Sequence, residues 1–301
     1  MSLLVTGSIG IDTVEAPSGQ ATDTLGGSSV YFAHAASFFH PVRMVGVVGG
    51  DCPPGFLAPL ENNDNIDLSG LEVREGSKTF RWHGRYHEDV NQRDTISVEL
   101  NVLDEKGPSI PEEFRDSRYV FLANTHPCLQ MELLDQLAAP DLIVADTMDL
   151  WIKSERDGLK ALLMQIDGLV LNDSEAVLLT GKHNIVEAGQ IIAGVVRRFV
   201  VVKKGEHGAL LFMGDKVYPL PGFPSAKVVD PTGAGDSFAG AMLGYIAEKD
   251  DLSADTIRRA IAYGTVTASI LLEDFSVNRF LQIGRDEIDA RLAIYEHMTR
   301  F

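Results

Sequence analysis

Cysteine is nearly missing. Cys52 and Cys128 are the only two in 301 residues, with no spacing that suggests metal ligation. The simplest setting for such a chain is a reducing cytoplasm. Long hydrophobic runs are missing too. No stretch approaches the ~18 apolar residues that would cross a bilayer. The opening residues, MSLLVTGSIGIDTVEA, have no basic segment and meet Asp12 early, so they do not read as a signal peptide. Basic residues are short relative to acidic ones: 26 Lys and Arg face 43 Asp and Glu, for a net charge of −17. That balance speaks against nucleic acid and anionic membrane surfaces as partners. Taken alone, it speaks against phosphate ligands as well. No internal repeat and no low-complexity tract is present.

What is there suits a folded protein. Hydrophobic residues make up 45% and charged residues 23%, which excludes disorder of the polar, highly charged kind. Short apolar runs alternate with amphipathic segments. Leu3–Thr6, Arg43–Val48, Tyr119–Leu122, Leu142–Ala145, Leu169–Leu171 and Val200–Val202 read as strands, most of them continuous, as in strands buried on both faces. Ser29–Phe39, Leu129–Ala138, Ser154–Gln165, Ser174–Leu179 and Val186–Arg197 read as helices between them. This alternation predicts an α/β fold with a mostly parallel sheet and helices on both faces. The last third is helical: Ser237–Glu248, Ala254–Glu273 with Ser253 as its N-cap, and Asp286–Met298.

One region breaks the rhythm. Lys78–Tyr86 and Thr95–Leu100 are rich in Thr, aromatic and β-branched residues, with a turn-rich link between them, and predict an antiparallel hairpin. Ile9–Leu25 is a candidate for further strands beside it. From Lys78 to Arg93, four basic residues (Lys78, Arg81, Arg85, Arg93) outnumber Glu88 and Asp89, so this segment is locally positive. An ordinary solvated hairpin would look the same.

The stretch that carries chemistry is Val229-Asp230-Pro231-Thr232-Gly233-Ala234-Gly235-Asp236-Ser237-Phe238-Ala239-Gly240. Small residues at Gly233, Ala234 and Gly235 let backbone approach a ligand. The loop opens a helix, whose free N–H groups and dipole favour an anion. Asp236 stands at the helix start, placed to accept the proton of an attacking hydroxyl. Together these suit phosphoryl transfer, with N–H groups facing the charge that develops on the moving group. A lone Asp here would ordinarily be a helix cap, but the whole string is far more specific. It is not a dinucleotide fingerprint, because Phe238 stands where the third glycine should be, and no Walker A loop is present.

The string DPTGAGDSFAG resembles the C-terminal signature of the ribokinase-like (PfkB) carbohydrate kinases. Gly26-Gly27 with the following YFAHAASFF and VRMVGVVGGD resembles the family's N-terminal glycine signature. Asn172-Asp173-Ser174-Glu175 resembles its N-x-x-E motif, and Lys204-Gly205-Glu206-His207-Gly208 its glycine turn beside the nucleotide. The resemblance covers nearly the whole chain. It implies one domain over 1–301, a three-layer fold and a small β-sheet lid, to which 9–25 and 78–100 would contribute. Lid closure would keep water from competing with the acceptor, and lids that pair between subunits in some relatives imply a homodimer.

The resemblance also implies roles. Asp236 is the base, and Gly233, Ala234 and Gly235 form the anion hole. Asn172, Glu175, Lys203, Lys204, Gly205, Gly208 and Thr232 face ATP, with Glu175 near Mg²⁺ through water. Asp12 holds acceptor hydroxyls. Gly26 and Gly27 line the acceptor site, as do Asn124 and Asp146, which lie at predicted strand ends on the ligand-binding edge of such sheets. Asp230 and Thr232 match positions that hold a monovalent cation such as K⁺ in some relatives. Tyr31 departs from the family's usual Asn and offers a stacking face instead of an amide. Arg81 and Arg85 would meet an acidic acceptor if they face the pocket. The expected activity is ATP-dependent transfer of a phosphoryl group to a sugar-like hydroxyl. A nucleoside kinase and a non-catalytic ligand-binding protein on the same scaffold remain as alternatives.

Overall fold

A computed structural model describes residues 2–300. Its strands are β1 (Leu3–Thr6), β2 (Gly10–Ala16), β3 (Gly19–Gly26), β4 (Val42–Gly49), β5 (Ile66–Arg74), β6 (Phe80–Tyr86), β7 (Arg93–Glu99), β8 (Tyr119–Leu122), β9 (Leu142–Asp146), β10 (Gly168–Asn172), β11 (Phe199–Lys203), β12 (Ala209–Met213) and β13 (Lys216–Leu220). Nine of them form one sheet in the order β13-β12-β11-β10-β9-β8-β1-β4-β5. It is parallel from β11 through β5, with β12 and β13 added antiparallel at one edge.

The helices are α1 (Ser28–Ser37), α2 (Ala58–Glu61), α3 (Pro127–Leu134), α4 (Asp149–Ser154), α5 (Arg156–Leu163), α6 (Asp173–Thr180), α7 (Ile185–Ala193), α8 (Ala234–Lys249), α9 (Ala254–Leu271) and α10 (Arg285–Met298). Strand residues alternate between the two faces of the large sheet. Tyr119 and Phe121 join a core with α1, α8, α9 and α10, while Val120 and Leu122 join one with α3, α5, α6 and α7. This is the expected three-layer arrangement. Phe32 of α1 stacks on Phe121 with ring centroids 4.4 Å apart. α1 and α8 meet closely: a Cβ on Gly240 would fall 2.3 Å from the Phe32 carbonyl oxygen. A side chain there would force apart the two helices that carry the site.

The strands β2, β3, β6 and β7 form a second sheet, ordered β3-β2-β6-β7, with β2 and β6 parallel and the outer pairs antiparallel. The predicted hairpin is therefore present, and Ile9–Leu25 supplies its companions. Every residue of β7 is exposed.

Three strands escaped the sequence reading. β5 mixes Asp67, Ser69 and Gly70 into its pattern and lies at the sheet edge. β12 and β13 form a hairpin around Gly214, which takes φ 57. The helix expected over Ser154–Gln165 is α5, which begins at Arg156 because Glu155 leaves helical geometry at φ −124, ψ 39; the short α4 before it was not expected.

Candidate active site

The carboxyl ends of β9, β10 and β11 lie side by side and deliver Asp146, Asn172 and Lys203 to one edge of the sheet, where open α/β folds bind ligands. The start of α8 faces them. Gly233 is its N-cap with φ 76, ψ 0, a left-handed conformation that suits glycine. A Cβ at Gly233 would lie 2.3 Å from Cγ of Tyr31, so the Tyr31 ring lies directly against the loop. Buried Asp230 braces the loop from behind. Its Oδ1 accepts from the Thr232 amide at 2.8 Å and its Oδ2 from the Ser276 amide at 3.4 Å.

Asp146, Glu175, Lys203 and Asp236 form one electrostatic cluster. Lys203 Nζ is 3.6 Å from Asp146 Oδ2, and a Cβ on Gly235 would meet that ammonium at 2.7 Å. The lysine thus reaches across the cleft to the glycine loop. Burial alone would pull its pKa down, but Asp146, Glu175 and Asp236 more than offset this and hold it protonated. One cation serves three carboxylates. Burial and the neighbouring Asp146 raise the Asp236 pKa to about 7, against the pull of Lys203. Glu175 is also raised to about 7, by burial and Asp146. A carboxyl group poised near neutrality suits a general base.

Asn172 and Glu175 do more locally than the family motif alone suggests. They form a capping box at the start of α6: Asn172 Oδ1 accepts from the Glu175 amide and Glu175 Oε2 from the Asn172 amide, both at 2.8 Å. Glu175 is fixed by this box, which engages one of its two carboxylate oxygens.

A second group of side chains is centred on Asp12. It is 3% exposed, and its Oδ1 has no hydrogen-bond partner. Its carboxylate also receives the Gly27 amide, and a Cβ on Gly26 would overlap it. Burial, then the nearby Asp230 and Asp236, raise its pKa to about 8. Tyr31, 2% exposed, adds an aromatic wall beside it, and burial raises its phenol pKa. An unpaired, buried carboxyl oxygen is costly in isolation and readily repaid by a ligand hydroxyl.

Other expected residues lie elsewhere. Arg81 is paired with Asp51 at 3.3 Å and Asp23 at 3.6 Å, and Arg85 with Glu15 at 2.6 Å. Their charge is neutralised within and beside the small sheet, so neither is brought into the cluster. The Asn124 amide is engaged by Trp151, whose Nε1 donates to its Oδ1 at 3.0 Å. Lys204, Gly205 and Gly208 form a closed turn at the rim, where the Lys204 amide donates to the Gly208 carbonyl at 2.7 Å.

The small sheet contributes groups that the sequence did not single out. The Tyr86 and Thr232 hydroxyls are 3.2 Å apart, which ties β6 to the glycine loop. Arg93 sits against the Tyr86 phenol, with its guanidinium 5.3 Å from the Trp82 ring centroid, and makes no ion pair among the described residues. At the hairpin tip, Asn91 donates to Glu206 at 3.1 Å, bridging to the Lys204–Gly208 turn. The signal for Tyr86 was the two-residue period from Trp82. For Arg93 it was the excess of basic residues in the hairpin.

This arrangement is that of a kinase, a phosphotransferase with a hydroxyl acceptor on a small molecule. A family model described as pfkB family carbohydrate kinase matches residues 13–282, and the chain belongs to that family. It is 31% identical over 252 residues to a cytidine kinase of Thermococcus kodakarensis, an alignment covering 81% of this chain and 88% of that one. The fold matches that of a Burkholderia thailandensis nucleoside kinase solved with inosine, at TM-score 0.79 and 19% identity over 98% of both chains. It also matches a nucleoside kinase of Methanocaldococcus jannaschii, at TM-score 0.78 and 19% identity over 98% of this chain and 99% of that one.

Proposed function

We propose that this kinase uses ATP to phosphorylate a hydroxyl of a nucleoside. The observation that carries the reading is the pairing of Asp12 with Tyr31: an unpartnered carboxyl oxygen for ribose hydroxyls, beside a buried aromatic ring where a base can stack. The likeness to a cytidine kinase over most of the chain supports it. The paired state of Arg81 and Arg85 weighs against an acidic sugar. The test is turnover of ATP with cytidine, inosine, adenosine, ribose, fructose and a sugar acid. Phosphorylation of a nucleoside is expected, and phosphorylation of free sugars or sugar acids alone would overturn the reading in favour of a sugar kinase.

In this reading Asp236 takes the proton of the acceptor hydroxyl, whose oxygen bonds to the γ-phosphorus as the bond to the ADP oxygen breaks and ADP leaves with that electron pair. The amides of Gly233–Gly235 and the Lys203 ammonium face the charge on the moving phosphoryl group. Arg93 lies on the same side, carried by the small sheet, and adds a further positive charge when that sheet closes as a lid formed from 9–25 and 78–100.

Mg²⁺ fits the site. Hard oxygen donors are in excess over the single lysine, and among the described residues no three such side chains are placed to hold a metal alone. Bound with ATP, the ion would neutralise phosphate charge, with Glu175 and Asp146 nearest to its water shell. A potassium ion near Asp230 and Thr232 belongs to the same proposal, tested by replacing K⁺ with an organic cation in the assay. The reading also places the protein in the cytoplasm. The exposed edge strand β7, with Ile96 and Val98 outward, supports a homodimer through the small sheet, which light scattering would check.

A further inference from the structure

One turn beyond Tyr31, α1 enters a second cleft of about 660 Å³. His34 and Phe38 of α1, Asn62 and Asp64 of the turn before β5, and Phe280 and Leu281 of the segment before α10 line it. None of these residues belongs to the active-site cluster. Three observations point to a ligand. First, the His34 imidazole is 2% exposed and its Nε2 has no hydrogen-bond partner. Leaving a buried nitrogen unpaired costs about 1–3 kcal/mol, so a ligand that pairs with it binds with that advantage. Burial lowers the His34 pKa to about 4, so at neutral pH the ring is uncharged and offers one donor and one acceptor. Second, the neighbours of Asn62 and Asp64 are spent on structure, since Asn63 donates to the Ser37 hydroxyl at 3.0 Å and Asn65 to the Ser37 carbonyl at 3.1 Å. The Asn62 and Asp64 side chains make no hydrogen bond among the described residues and remain available at the exposed rim. Third, the opposite wall is aromatic. Phe38 and Phe280 meet edge to face with centroids 5.6 Å apart, and Leu281 is 54% exposed at the mouth.

The chemistry of the wall selects the ligand. No Lys or Arg lines the cleft, so it has nothing to hold a phosphate. Ring faces suit a flat molecule, while an amide, a carboxylate and a neutral imidazole suit the donors and acceptors on its edge. We propose that this cleft binds an uncharged, amino-bearing heteroaromatic molecule, either a free nucleobase or the base of an unphosphorylated nucleoside. The site is distinct from the acceptor pocket and does not depend on which acceptor the kinase uses. Both of its walls continue into the active site: α1 carries Tyr31, and the segment that ends in Phe280 and Leu281 begins at Ser276, which binds Asp230.

Calorimetric titration of the full chain without ATP tests this, using cytosine, adenine, cytidine and adenosine. Leu281→Arg and Asn62→Arg each place a guanidinium in the cleft from an exposed position that bears no packing load. Asp12→Asn alters the acceptor pocket instead. The expected result is that at least one of the four compounds binds at a site that both cleft variants weaken tenfold or more and that Asp12→Asn leaves as in the unaltered chain; any separate acceptor-pocket binding of a nucleoside is what Asp12→Asn removes. Binding of a free base would show that the base suffices. Binding of nucleosides alone would show that the ribose contributes at the same cleft. The proposal is overturned if none of the four binds, or if both cleft variants bind as the unaltered chain does. Loss of all binding in Asp12→Asn with full retention in the cleft variants would equally overturn it, by placing the ligand in the acceptor pocket alone. Because the cleft variants and Asp12→Asn read the two sites separately and the free bases lack the ribose that Asp12 would hold, failure here is distinguishable from failure of the acceptor panel.

Discussion

Replacing Asp12 by Asn should make the unliganded protein more stable and a poorer kinase. The carboxyl is 3% exposed, and burial together with Asp230 and Asp236 lifts its pKa from 3.8 to about 8. In the unfolded chain it ionises near 3.8; in the folded chain it remains protonated at pH 7, so folding takes up a proton. A raised pKa contributes stability that is fully present below the unfolded value and is lost as pH climbs through the folded one. Between pH 3.8 and 7 lie about three pH units at about 1.4 kcal/mol each, a ceiling of about 4 kcal/mol. Repacking around an ionised Asp12 lowers that ceiling, and ~1–3 kcal/mol is the expected gain for Asn at pH 7. Asparagine imitates the protonated form and does not titrate. Urea unfolding of both proteins at pH 5, 6, 7 and 8 would show the gap widening with pH and levelling off above about 8. A gap independent of pH, or one that closes as pH rises, would refute the reasoning. On the functional side, loss of the carboxyl group that would hold the acceptor hydroxyls should raise the acceptor KM by roughly tenfold to a hundredfold.

Asp236→Asn should lower turnover by about two to four orders of magnitude, the range for losing a general base, while ATP affinity measured by equilibrium dialysis stays within a few fold. Because the base must be ionised and its pKa lies at about 7, turnover of the unaltered enzyme should fall on the acid side of neutrality, and a rate flat from pH 5.5 to 8 would contradict the assignment. Arg93→Ala should reduce kcat by roughly tenfold to a thousandfold with little change in thermal stability, since the side chain is exposed and unpaired; unchanged kinetics would remove Arg93 from the site. Gly233→Ala pushes a methyl group to 2.3 Å from the Tyr31 ring at φ 76, so a loss of ~1–3 kcal/mol in unfolding free energy and of most activity is expected.

The layered fold was legible because its central strands are buried on both faces and so read as unbroken apolar runs. Of the strands that were missed, β5 and β13 are the two edges of the sheet, where one side meets solvent and the pattern is diluted, while β12 is a five-residue run inside the hairpin that adds β13. The glycine loop and Asp236 were legible because small residues, a strand and a helix start fall within one short string. Partnership was not legible. Nothing in local spacing says that Lys203 crosses to Gly235, that Trp151 occupies Asn124, or that Glu15 and Asp51 neutralise Arg85 and Arg81. Those pairings join residues separated by up to 70 positions. The net charge of −17 misled for the same reason: phosphate would meet a helix start, backbone amides, Lys203 and Arg93, which a total cannot reveal.

The hairpin between β6 and β7 touches both halves of the site, Thr232 through Tyr86 at the last pair before its turn and Glu206 through Asn91 within the turn. A single rigid piece anchored at two such points acts as a logical conjunction. In the proposed reading a filled acceptor pocket would complete the seal, because an empty one leaves Asp12 unpaired. If the small sheet closes as proposed, spillage of phosphoryl groups to water would be suppressed because alignment waits for the second guest.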